Sequence, residues 1–269
     1  MAEEVRKHSG EAVEDLDIPA IKLDNLELFE KELGIGKNIM WELGEEQQIH
    51  RVWDREAVKE VMYRHAHYYT SNERAREIEE LWVREPENMK TASYGRNWGY
   101  YIGMDEIKKY YLDNNTIGDG CMLFQPVSTD LIQVANDGKT ARGMWYSMGY
   151  MTVVEDGTTN AEWLFERVCA DFIREKDGWK IWHMFIGTDV AVPPSEKFDD
   201  QPVYPPKNFS IGEREFVREG VGPTMPMMAY TPEFNWYCYP EMPFAYDTYD
   251  PARGCGYEGN PEYKKEAKQ

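Results

Sequence analysis

Three Asp-Gly dipeptides set the limits on how this chain can fold. Asn136-Asp137-Gly138, Asp156-Gly157 and Asp177-Gly178 punctuate a series of long runs rich in β-branched, aromatic and methionine residues: CMLFQPVSTDLIQVA, TARGMWYSMGYMTVV, NAEWLFERVCADFIRE and WKIWHMFIG. Asp-Gly between such runs signals a hairpin, because glycine takes the positive φ that a tight turn needs. Residues 120–188 therefore read as consecutive long antiparallel strands.

Upstream the period changes. Val58, Val61, Met62, His65 and Tyr69 follow a three-and-four spacing that draws one stripe down a helix, with Asp54 as a plausible N-cap. Thr70-Ser71-Asn72 interrupts it, and a second amphipathic run continues through Ile78, Leu81 and Trp82. MKTASYGRNWGYYIG then suits strand, turn and strand, and MDEIKKYYLDNN returns to helical spacing. Helices first and a strand meander after them give an α+β layout. The expected shape is a cone-shaped α+β barrel, its curved antiparallel sheet wrapped on N-terminal helices around an apolar pocket. Residues 1–49 read as an acidic arm with short helices and residues 50–190 as the barrel domain. Residues 191–269 read as a long irregular arm, since 12 of the 15 prolines fall between Pro193 and Pro261, interleaved with aromatics. An arm so rich in Trp, Tyr, Phe and Met should lie on a protein surface. The expectation is a homo-oligomer, dimer or trimer, with Trp236, Tyr237, Tyr239 and Phe244 docked on a subunit.

Composition narrows the partners. A net charge of −19 argues against nucleic acid and anionic membrane. No run approaches membrane-spanning length, and the first residues lack an apolar signal core. Cys121, Cys169, Cys238 and Cys255 form no CxxC pair, so neither a zinc site nor a disulfide framework is expected, and a cytoplasmic location is the default. Phosphate-binding, zinc-protease and nucleophile-elbow motifs are missing, so no cofactor is expected.

The available chemistry is that of side chains in a pocket. His65 and Tyr69 lie one helical turn apart on the buried stripe. The bland reading is a core histidine satisfied by a neighbouring hydroxyl. In WKIWHMF, alternation puts Trp179, Ile181, His183 and Phe185 on one face, and their apolar company suggests the concave one; an outward histidine at an interface is the competing reading. Two histidines in one pocket would supply general acid–base catalysis, with Tyr69 steadying a developing oxyanion. Tyr94, Trp98, Tyr100, Tyr101, Trp145 and Tyr146 read either as packing or as aromatic walls for a flat substrate. Asp171 falls on the opposite face of its strand, where Arg167 is the expected partner. His65 and His67 have the wrong spacing for a helical metal pair, so no metal is expected.

The order of elements over about residues 50–190, with WGYYIGMDEIKKYY, DGKTARGMWYS and DGWKIWHMF, resembles the SnoaL-like branch of the nuclear-transport-factor-two-like superfamily. The resemblance implies the cone fold and a choice of chemistries. Ketosteroid isomerases and bile-acid dehydratases of this superfamily place a catalytic tyrosine where this chain has His65. The dehydratases add an aspartate at the position of Thr70 and a histidine near Gln125. That set is not present here, so Thr70 and Gln125 are carried over as substrate-binding positions. The expected activity is a cofactor-independent lyase (carbon–oxygen or carbon–carbon) or isomerase, by dehydratase-like or deformylating elimination. Its substrate would be an aromatic or polycyclic small molecule. The alternative is a non-catalytic small-molecule or protein binding module on the same fold.

Overall fold

The computed structural model describes residues 44–97, 99–114, 120–155, 158–197 and 242–259. The first helix, α1 (Glu45–Thr70), has its N-cap at Gly44, well before the expected cap at Asp54. Asp54 lies inside it, where its carboxylate accepts from Trp179 Nε1 at 3.2 Å. The early start has a cause that an apolar pattern does not show. Arg51 extends the buried stripe, donating to Val134 O at 2.9 Å and to Asn136 Oδ1 at 2.8 Å. Val58, Met62, His65 and Tyr69 then continue the stripe, as the spacing predicts.

The break after Thr70 is a tight reversal. Ser71 N donates to His67 O at 2.9 Å, Glu73 N donates to Tyr68 O at 2.9 Å, and Asn72 takes φ +58°. Asparagine is among the few residues that tolerate this left-handed conformation, which turns α2 (Arg74–Leu81) back along α1. α3 (Pro86–Thr91), β1 (Ser93–Arg96), β2 (Gly99–Ile102), α4 (Met104–Lys109) and a π-helical turn (Tyr110–Asn114) follow. Then come β3 (Met122–Phe124), β4 (Val127–Val134), β5 (Thr140–Glu155), β6 (Thr158–Glu175) and β7 (Gly178–Val192).

The strands form one sheet in the order β2-β1-β7-β6-β5-β3, with β4 also paired to β5. α1 touches β7 and also β3 and β4, both of which pair with β5; β6 and β5 stand between, so the sheet curves around the helix. It does not close. The β4–β5 and β6–β7 connections are the Asp-Gly turns expected, with Gly138 at φ +68° and Gly178 at φ +123°; Asp156-Gly157 lies outside the described residues. One pairing departs from the all-antiparallel expectation: β1 runs parallel to β7. No hairpin joins these two strands, so no turn dictates their relative direction.

Two irregularities bend the β6–β7 pair. Asp171 faces His183 while Phe172 faces Ile181, which leaves Trp182 as an extra residue. Glu166 faces Thr188 while Phe165 faces Val190, which leaves Asp189 as another. Each shifts the phase of the side chains that follow it. The main core therefore takes Val168, Ala170 and Phe172 from β6 but Ile181, Met184 and Ile186 from β7. A second cluster, Tyr100, Cys169, Phe185 and Cys255, occupies the outer face.

Residues 242–259 cross that outer face. Asn136 N donates to Tyr246 O at 2.9 Å, Tyr249 and Asp250 reach Asp171 and Arg142, and a disulfide joins Cys169 to Cys255. This corrects the expectation of no disulfide and removes the cysteine argument for a reducing compartment. Spacing along the sequence hid the bridge, because its partners are 86 residues apart and meet only through the fold. Of the four arm residues singled out, Phe244 is half-buried, and Trp236, Tyr237 and Tyr239 lie outside the described residues. Among the described residues no helix is long and apolar enough to cross a membrane.

Candidate active site

The reversal at Asn72 places the start of α2 beside the end of α1, and four polar or aromatic side chains meet there. His65 Nδ1 lies 2.7 Å from Glu77 Oε1, with the two side chains 4% and 0% exposed. Arg74 sits over the Tyr69 ring, its Cζ 3.2 Å from the centroid. Its Nη1 is 3.8 Å from Glu77 Oε2, too long for a hydrogen bond. A carboxylate beside Nδ1 accepts the proton of that nitrogen and leaves the Nε2 lone pair available, which is how a histidine is set up as a base.

The sheet carries a second buried polar group. Arg96 Nη2 donates to Glu166 Oε1 at 2.9 Å and to Thr188 Oγ1 at 3.3 Å, and Thr188 Oγ1 donates to the same carboxylate oxygen at 2.8 Å. Gln125 Nε2 donates to the other oxygen of Glu166. Tyr94 alternates with Arg96 on the same face of β1 and packs against Tyr110, centroids 5.1 Å apart, and Tyr111 at 5.2 Å. Burial pushes the Tyr94, Tyr110 and Tyr111 phenols well up, so each keeps its proton at neutral pH.

Buried polar atoms without a hydrogen-bond partner are uncommon, and several gather on this inner face. They include all three guanidinium nitrogens of Arg74, Trp82 Nε1, Tyr111 OH, Trp145 Nε1, Ser147 Oγ and Glu77 Oε2. Such atoms suit a site built to bind polar groups. Among the described residues no group of three or more His, Cys, Asp or Glu stands together to hold a metal ion.

The sequence model of the SnoaL-like domain family matches residues 50–184, half of the chain. This chain belongs to the SnoaL-like domain family. No curated protein sequence matches it. Among solved structures it is similar to an NTF2-like protein with a cystatin-like fold from Novosphingobium aromaticivorans, at 19% identity and a TM-score of 0.39, over 52% of this chain and 85% of that one. It is similar to a hexachlorocyclohexane dehydrochlorinase LinA-type3 from Novosphingobium barchaimii, at 10% identity and a TM-score of 0.46, over 55% and 95%. An NTF2-like superfamily protein from Salmonella enterica matches at 16% identity and a TM-score of 0.40, over 54% and 98%.

In this SnoaL-like domain Tyr69, Tyr94, Tyr101 and Trp145 lie in the main core, and His65 and Gln125 are buried. Thr70 is half-buried at the end of α1, and Trp98 lies outside the described residues. His183 is on the other face, which corrects the concave placement. Alternation from Trp179 and Ile181 predicts an inward His183, but the extra residue Trp182 resets the phase. His183 Nδ1 lies 3.1 Å from Asp171 Oδ2 and 2.9 Å from Tyr249 OH, and its Nε2 is 3.1 Å from Thr91 O. It therefore does not share a site with His65.

Asp171 faces outward as expected, but not with Arg167. It accepts from Arg142 Nε at 3.0 Å, while Arg167 pairs with Asp189 at 2.8 Å. Neighbours across strands stand closer than residues two apart on one strand, so the cross-strand cations win. Sequence reasoning missed Arg74, Glu77, Arg96 and Glu166. Arg96 was open to the alternation argument through Tyr94. Glu77, one residue before Ile78, shows no such signal, because its burial depends on the reversal at Asn72.

Proposed function

We propose that this SnoaL-like domain is a cofactor-independent lyase that acts on an aromatic or polycyclic small molecule, with His65 as its general base. The observation that carries the reading is the buried His65–Glu77 pair. Glu77 fixes the ring and its tautomer and steadies the imidazolium that forms, so Nε2 takes a proton from a carbon next to an activating group or from a hydroxyl. The electron pair left behind expels the leaving group, and the same nitrogen returns the proton to it. Water loss, release of a small aldehyde fragment and double-bond migration share this opening step. Tyr94, Tyr110 and Tyr111, neutral by burial, supply hydroxyl donors and aromatic walls, and Tyr69 is a platform beneath Arg74. His183, on the outer face, has no part in this scheme. We further propose that the protein works as a homo-oligomer, dimer or trimer.

The test is turnover of a panel of neutral aromatic and polycyclic β-hydroxy ketones, followed by mass spectrometry for loss of water or an aldehyde. The unmodified protein should convert a member of the panel. His65→Asn, which keeps a donor for Glu77 and removes the base, should be slower by about 10²–10⁴-fold. Full activity in that variant rules out the base. Tight binding of panel members with no turnover would favour the non-catalytic binding module.

A further inference from the structure

We propose that Arg74 holds the oxygen on which negative charge collects when His65 takes a proton, and that the substrate is accordingly a neutral carbonyl or phenolic compound rather than a carboxylate. The inference rests on the base role of His65 and names the electrophile and substrate charge that go with it.

Arg74 is 2% exposed, yet none of its guanidinium nitrogens makes a hydrogen bond. A guanidinium carries five donors in a rigid fork, and leaving it unpaired in the interior is costly without a ligand to receive it. The Tyr69 ring below it fixes the plane of the fork. The neighbours are of the same kind. Tyr111 lies 6.0 Å from Arg74 Cζ, ring centroid to carbon, Trp82 packs 5.9 Å from Tyr111, and Tyr111 OH and Trp82 Nε1 also lack acceptors. Arginine and tryptophan only donate. What they recognise must accept, as a carbonyl, phenolate or enolate oxygen does.

Charge decides between an acceptor that is already ionised and one that becomes so. Arg96 and Glu166 cancel at 2.9 Å. Arg74 and Glu77 are likewise opposite charges, so with His65 neutral these four groups carry no net charge. A carboxylate ligand would add an unmatched buried charge. A neutral ligand adds none. Proton transfer to Nε2 then makes two charges that are both matched: the imidazolium has Glu77 at 2.7 Å, and the new oxyanion has the Arg74 fork. The O–H or C–H bonding pair becomes the oxyanion or enolate, the proton rides on Nε2, and no oxidant or reductant is needed.

The probes are 2-naphthol, neutral with an ionisable hydroxyl, and 2-naphthoate, a carboxylate on the same rings. The unmodified protein should bind 2-naphthol at least about tenfold more tightly than 2-naphthoate and show naphtholate absorption at neutral pH. Arg74→Met should lose the naphtholate signal and weaken 2-naphthol binding by about 10–100-fold, and Arg74→Lys should restore part of both. 2-Naphthoate binding as tightly as 2-naphthol, or no naphtholate signal in the unmodified protein, overturns the proposal without any variant. Naphtholate retained in Arg74→Met overturns it too, and loss of the signal in His65→Asn would then leave the base role standing. Naphtholate retained in His65→Asn but lost in Arg74→Met upholds Arg74 and removes the base.

Discussion

Asp171 and His183 face each other across β6 and β7, Oδ2 to Nδ1 at 3.1 Å, beneath residues 242–259. Besides His183, the Asp171 carboxylate accepts from Arg142 Nε at 3.0 Å, Tyr249 OH at 3.1 Å and Cys255 N at 2.7 Å. One buried anion thus ties the C-terminal segment to the sheet. Removing a partner from a buried charge cluster strands the rest, so Asp171→Ala should cost about 3–5 kcal/mol by urea denaturation. A loss under 1 kcal/mol would show that the cluster is not a fastening.

The same carboxylate gives a pH signature. Burial opposes its charge, but Arg142, His183 and the Cys255 amide together hold it down at about 2. A depressed folded value stabilises above the unfolded carboxylate range of about 4 and is lost as the pH falls from there towards 2. Over that window Asp171 should account for about 2 kcal/mol of acid destabilisation. Subtracting the acid titration of Asp171→Asn from that of the unmodified protein should isolate this slope. Parallel curves would refute it.

His65→Phe and His65→Asn should differ in stability. Phenylalanine leaves Glu77 buried with no hydrogen-bond donor, at a cost of about 1–3 kcal/mol, whereas asparagine supplies an amide near the position of Nδ1. Thermal unfolding should rank His65→Asn above His65→Phe. The reverse order would mean that the 2.7 Å contact contributes little.

Gly143 lies under the Trp145 indole, where a Cβ would overlap the ring. Gly143→Ala should displace Trp145 from the inner face at a cost of about 1–3 kcal/mol. The red shift of its fluorescence would report the movement. An unshifted spectrum with unchanged stability would show that the ring has room to spare.

Much of the fold could be read in advance because its signals are local. The Asp-Gly turns mark the β4–β5 and β6–β7 hairpins, and the stripe Val58, Met62, His65 and Tyr69 marks α1. The site was harder to read because its polar members depend on contacts that periodicity does not carry. Arg51 lengthens α1 by reaching Val134 and Asn136, and no apolar pattern registers an arginine. Trp182 is a single extra residue in β7, and it moves His183 from one face of the sheet to the other. Glu77 becomes the partner of His65 only because Asn72 accepts a positive φ. Tyr94 and Trp145, whose burial follows from hydrophobicity alone, lie in the main core.

The Cys169–Cys255 bridge makes a covalent ring of the chain between its ends, separated by 86 positions. Closing a loop of that size contributes about 2–5 kcal/mol, so Cys255→Ser should lower the unfolding midpoint. The ring also changes what a protease can accomplish. One cleaved peptide bond anywhere between the two cysteines leaves a single molecule of unchanged mass apart from the added water. Two fragments should separate on a denaturing gel only after a thiol reductant is added.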